Sequence, residues 1–175
     1  LDSTKHSILT FHGILLTKDW QIIDEIGFKL KPDDGDYCIT AKALQTNQIN
    51  IAEHDKEAKT YSECGEELLK FFSYYCENGS PFPKRLFAAG QNIQFDRPFA
   101  GLFAEKAFEK YMTRGGVDLY SLSLSLNSLG KIRNLKNYQL GTMAKFFGID
   151  FQAHDCKEDI HTTVKCIVKC LELMK

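Results

Sequence analysis

The stretch KRLFAAGQNIQFDRPF, residues 84–99, decides how this chain is read. Its first half is a short apolar run closed by glycine, the pattern of a buried strand. Its second half enters a segment in which Phe99, Phe103 and Phe108 recur at helical spacing, with Asp96 where the helix is expected to open. A strand that hands over to a helix through a carboxylate points to a layered α/β domain, whose ligands collect at the carboxyl edge of the sheet. Asp96 also has a plainer reading, because aspartate is a preferred helix N-cap. The stretch by itself leaves both open.

Working outward, SILTFHGILLT (7–17) is an apolar run rich in β-formers, and IIDEIGFKLKP (22–32) alternates as its hairpin partner across the KDWQ turn until Pro32 stops it. ITAKALQTNQIN (39–50) suggests a short helix or turn followed by loop. TYSECGEELLKFFSYYCENG (60–79) is a helix capped by Thr60 or Ser62, buried through Leu68, Leu69 and Phe72 and ended by Gly79. GVDLYSLSLSLNSLG (116–130) and YQLGTMAKFFGI (138–149) are helical stretches on either side of a basic loop carrying Lys131, Arg133 and Lys136. A last helix runs to the chain end. The sum is an α/β fold over residues 1–175, expected as one domain.

The 175 residues, 43% hydrophobic and 26% charged, suffice for a full-sized core. A net charge of −1 excludes a generally polyanion-binding surface but not a local basic groove. The chain shows no membrane-length apolar run and no signal-peptide pattern, so no membrane partner is expected. Six dispersed cysteines, without a tight framework, suggest reduced thiols in an intracellular, cytoplasmic protein.

The other chemistry-bearing stretch is FQAHDCKEDIHTTVKCIVKC, residues 151–170. At about 100° per residue, Ile160, Val164, Ile167, Val168, Leu171 and Met174 share one helix face. Asp159 lies beside that stripe with Thr163, Cys166 and Cys170, while His161 points roughly 160° away toward solvent. One regular helix therefore cannot aim Asp159 and His161 into one site, although His154, ahead of the helix, can fold back over Asp159. Asp96 and Asp159 are oxygen ligands of the kind Mg²⁺ or Mn²⁺ prefers, and His154 titrates in the range a general base needs. A zinc-stabilised interaction domain using His154, Cys156, Cys166 and Cys170 is a rival; packed structural cysteines are the simpler account. His6, His12 and His54 show no partner pattern.

Asn92-Ile93-Gln94-Phe95-Asp96 resembles the second motif of the DEDD exonucleases, and His154 to Asp159 resembles the third motif of their DEDDh branch, with histidine five residues before aspartate. That branch includes the epsilon proofreading subunit of bacterial replicative polymerase and many ribonucleases. The resemblance implies a ribonuclease-H-like mixed sheet flanked by helices, and 3′→5′ hydrolysis of DNA or RNA to nucleoside monophosphates. It implies two Mg²⁺ or Mn²⁺ ions held partly by Asp96 and Asp159, with His154 as general base and Asn92 and Phe95 near substrate. It also implies Asn47 in a loop over the terminal nucleotide, and a polymerase or larger nucleic-acid-processing assembly among possible partners. The family's first motif, Asp-x-Glu, has no counterpart here; relatives carry it just ahead of the segment matching Leu1 and Asp2. The expectation is that a preceding strand supplies it; the alternative is an inactive nucleic-acid- or protein-binding module of the same fold.

Overall fold

A computed structural model describes residues 2–77, 83–151 and 155–175, so His154 and Gly79 lie outside the described residues. A hairpin opens the fold: β1 (Thr10–Leu16) pairs antiparallel with β2 (Ile22–Lys31), in a register running from Thr10 opposite Lys29 to Leu16 opposite Ile22. β2 pairs at its end, in parallel, with the short β3 (Lys59–Thr60). Between them lie α1 (Ala41–Asn47) and α2 (Ile51–Glu57). The sequence had suggested only loop after α1. The second helix forms because Asn50 caps it, its side chain accepting from the amides of Ala52 and Glu53.

α3 (Tyr61–Cys76) begins with a full capping box, Thr60 accepting from the Glu63 amide while Glu63 reaches back to Thr60. β4 (Leu86–Gly90) then leads into α4 (Ile93–Tyr111), which packs along α3. The N-cap of α4 is Asn92, not Asp96, and Asp96 falls inside the first turn. The plain capping account of Asp96 is thereby removed. β5 (Met112–Asp118) pairs in parallel with β4 and passes directly into α5 (Leu119–Ser128). Its MTRGGVD sequence disguised it, since two glycines and an exposed middle lack strand alternation. Glycine is needed there: a Cβ on Gly116 would lie 2.5 Å from the Ala88 carbonyl oxygen.

α6 (Leu140–Phe146) and α7 (Cys156–Met174) complete the chain. α7 packs against β1, β4, α5 and α6. Those several contacts shift its buried face to Thr162, Thr163, Val164, Cys166, Ile167 and Cys170, while Met174 is 44% exposed. The expected stripe through Ile160 and Met174 is corrected accordingly. Two apolar clusters result. One joins Phe28 and Leu30 of β2 to Leu68, Phe72, Phe103 and Tyr111 of α3 and α4. The other joins Leu119 and Leu126 of α5 to Met143, Cys166, Ile167 and Cys170. Among the described residues, no helix is long and apolar enough to cross a membrane.

The α3–α4 contact makes a prediction opposite to helix propensity. Alanine for glycine inside a helix normally gains about 1 kcal/mol. A Cβ at Gly65, however, would sit 2.1 Å from the Phe103 carbonyl oxygen, a backbone atom that cannot turn aside. Gly65→Ala should lose about 1–3 kcal/mol in denaturant unfolding, as overpacking does. A stability equal to or above that of the parent would show that α3 and α4 do not approach this closely.

Candidate active site at the carboxyl edge of β4 and β5

The site grows from the turn after β4. Gly90 ends the strand; Asn92 takes a left-handed conformation (φ 61°, ψ 50°), which asparagine tolerates better than other residues with a Cβ, and α4 starts at once. That conformation is held from the neighbouring strand. The Asn92 amide donates to Asp118 Oδ1 at 2.6 Å. The other oxygen of Asp118 caps α5, accepting from the Ser121 amide at 3.3 Å and its hydroxyl at 2.8 Å. One carboxylate thus ties together both strand-to-helix turns at this edge of β4 and β5.

Asp96 follows within the first turn of α4. The residue retains solvent-exposed surface, yet surrounding protein strips water from its carboxyl. That desolvation, and secondarily the negative charge of Asp118, pushes its pKa up to about 6. Phe95, 44% exposed, leans on Phe99 with ring centroids 5.3 Å apart, so half its surface is open to a partner. Beside the turn lies an open cleft of about 570 Å³ lined by Gln91, Asn92, Tyr120, Gln139 and Leu140. Gln91 donates to the Tyr138 carbonyl at 2.9 Å and so fixes one wall.

Asp159 lies in the first turn of α7, half-buried, its backbone carbonyl accepting from the Thr163 hydroxyl at 2.8 Å. α7 begins at Asp155, which caps it by accepting from the amides of Lys157 and Glu158. Because α7 packs on β4, Asp159 and Asp96 both stand on first turns of helices that adjoin that strand. Asn47 ends α1 and is exposed.

The Arg97 guanidinium donates to the carbonyls of Thr113 and Gly115, at 3.2 and 3.1 Å, and so pins α4 to β5. Cys166 and Cys170 are core residues, their thiols pushed up to about 12 and 11 chiefly by burial, which opposes the thiolate a zinc ligand requires. His161 is not a solvent-edge residue. It meets Glu25 at 3.0 Å, and Glu25 also meets His12 at 3.3 Å. Among the described residues this trio is the one compact group of metal-ligating side chains. The residue that sequence reasoning missed is Asp118, whose signal was present: an aspartate three residues before Ser121 at the head of a helical run.

No family model and no curated protein sequence matches the chain. Solved structures do. E. coli exonuclease I in complex with a dT13 oligonucleotide is 18% identical and superimposes with a TM-score of 0.71 over 97% of this chain and 38% of that one. A 3′-exonuclease in specific recognition of the 3′ end of a histone mRNA stem-loop is 15% identical, with a TM-score of 0.65 over 96% of this chain and 73% of that one. A full-length 3′-exonuclease is 17% identical, with a TM-score of 0.65 over 96% and 54%. The fold is ribonuclease-H-like, shared with these exonucleases. The chain spans 36–42% of the length of the exonuclease I chains it matches.

Asp96 is open to titration in metal-free protein. Asp96 is raised from an unfolded value near 3.8, so the folded state holds its proton longer. Its contribution to stability is full below pH about 4 and lost as pH rises toward 6. Carboxyl NMR should place the Asp96 midpoint near 6, and Asp118→Asn, which preserves an acceptor for the Asn92 amide, should lower it only part way. An unmoved midpoint would separate the two carboxyls; a complete return to the unfolded value would make charge, not desolvation, the main cause.

Proposed function

We propose that this chain is the body of a metal-dependent 3′→5′ exonuclease domain spanning residues 1–175. The observation that carries the reading is Asp96. It is a carboxylate on the first turn of a helix at the sheet's carboxyl edge, desolvated and beside a second carboxylate, so a bound cation would relieve an unfavourable environment. The fold shared with exonucleases supports it. So does the order of the two motifs, the first entering α4 and the second entering α7.

Asp96 and Asp159 are hard oxygen donors and suit Mg²⁺ or Mn²⁺. Such ions, when bound, stabilise charge on the attacking and leaving oxygens of a phosphodiester. The chain's own work is positioning. Asp118 fixes the turn from which Asp96 projects, His154 would accept the proton of the attacking water, and exposed Phe95 and Tyr120 offer faces on which terminal bases can stack. Lys131, Arg133 and Lys136, all exposed between α5 and α6, would meet backbone phosphates. Asn47 at the end of α1 would meet the terminal nucleotide.

Two carboxylates are too few for a two-ion site, and the reading requires an Asp-x-Glu strand. Among the described residues, β1 and β4 each pair along one edge only, and α7 packs against both. A strand laid between them would satisfy both edges and bring its acids toward Asp96 and Asp159. Without it, the two acids favour the second reading, a nucleic-acid- or protein-binding module of the same fold.

A 5′-labelled single strand, as DNA and as RNA, separates these readings when incubated with Mg²⁺ or Mn²⁺ and the protein expressed from its whole reading frame. The expected result is a ladder shortening from the 3′ end, abolished by Asp96→Ala and slowed about 10²–10⁴-fold by His154→Ala. Intact strands from folded protein would establish the binding module instead.

A further inference from the structure

The His12–Glu25–His161 cluster stands apart from the carboxylates at the edge of β4. It joins three elements: His12 from β1, Glu25 from β2 and His161 from the second turn of α7. On α7, His161 and Asp159 project to nearly opposite sides, so the cluster faces the hairpin rather than the candidate active site. All three side chains are half-buried, and their ligand atoms lie within 4.8 Å of one another. Glu25 Oε2 is 3.3 Å from His12 Nε2 and 3.0 Å from His161 Nε2.

We propose that His12, Glu25 and His161 bind a divalent transition-metal ion of the zinc class, which pins α7 to the β1–β2 hairpin. Two imidazoles and one carboxylate with an open fourth position are a common donor set for zinc, and imidazole nitrogen is a poor match for Mg²⁺ or Ca²⁺. The spacing suits it: tetrahedral ligands about 2.0 Å from an ion stand about 3.3 Å from one another, close to the two separations above. Little rearrangement is needed beyond opening the histidine–carboxylate hydrogen bonds.

The surroundings are built to aim these atoms. Gly27 lies directly across the hairpin from His12, and a Cβ there would fall 2.4 Å from His12 Nδ1. Bare backbone at that position is what lets the ring lie flat on β2 with Nε2 turned toward Glu25. Lys157, one helical turn before His161, holds the other oxygen of Glu25, so Oε2 is the oxygen presented to both imidazoles. The lysine's charge competes with a cation for Glu25, but its side chain is half exposed and can withdraw into water once the ion neutralises the carboxylate.

The site is independent of nuclease activity, and its test does not measure activity. Purified, metal-stripped protein is titrated with Co²⁺ and followed by visible absorption, then challenged with Zn²⁺, and thermal melting is recorded with Zn²⁺ and with chelator. The expected result is one ion per chain, the bands of four- or five-coordinate cobalt without a thiolate charge-transfer band, and a higher Tm with Zn²⁺. His161→Gln and Glu25→Gln, both at half-exposed positions, should keep the native circular dichroism and weaken binding by roughly tenfold or more. His12→Gln should do the same, whereas Asp96→Asn should not. Failure to bind, a thiolate band, undiminished binding in the His161 and Glu25 variants, or loss of binding in Asp96→Asn would each overturn the site.

Discussion

The carboxylate of Asp118 is the constraint on which the candidate active site depends. A strand can pass into a helix in many ways, and the backbone amides at such a turn are satisfied by few of them. Here one oxygen takes the Asn92 amide and the other takes Ser121, so the two parallel strands β4 and β5 release their helices from a shared anchor. The left-handed Asn92 follows from that anchor, and the placement of Asp96 one turn later follows from Asn92. The anchor's charge also bears on Asp96, as the smaller of the two causes that raise its pKa. A structural device has an electrostatic consequence at the residue it positions.

α7 is the second organising element, because it is shared. Cys166, Ile167 and Cys170 complete the cluster formed with α5 and α6, while its first turns lie against the hairpin. Contact with several elements explains why small and weakly polar residues are used. Thr162, Thr163, Cys166 and Cys170 let neighbouring elements come close where leucines would hold them apart. The same helix carries Asp159 in its first turn and, projecting to nearly the opposite side, His161 toward Glu25, which Lys157 also meets.

Local signals made much of this legible in advance. The hairpin, α3 with its Thr60 cap and the strand-to-helix passage at residues 86–93 all carry patterns confined to a few neighbours, and all form where those patterns stand. What escaped is non-local. β5 is a strand only because Gly116 can lie against Ala88, a relation between residues far apart in the chain. The buried face of α7 was misjudged because a helical wheel assumes one packing partner, and here there are several. Glu25 and His12 looked unremarkable, since nothing in a hairpin sequence announces that a histidine 136 residues beyond Glu25 will arrive beside it. Asp118 was legible as a cap but not as a neighbour of Asp96.

The two candidate metal positions differ in donor chemistry, and that difference argues for keeping them distinct. Asp96 and Asp159 offer only oxygen, which suits small hard ions that retain water and exchange readily. His12 and His161 add nitrogen, which favours ions higher in the divalent transition series and slower to leave. A site that turns over substrate gains from the first kind of ligand, and a staple between a helix and a hairpin gains from the second. With Asp159 and His161 two residues apart but on opposed sides of α7, the helix backbone insulates the two sets geometrically while coupling them mechanically. Whatever fixes His161 against Glu25 also fixes the first turn of α7, and with it the place of Asp159.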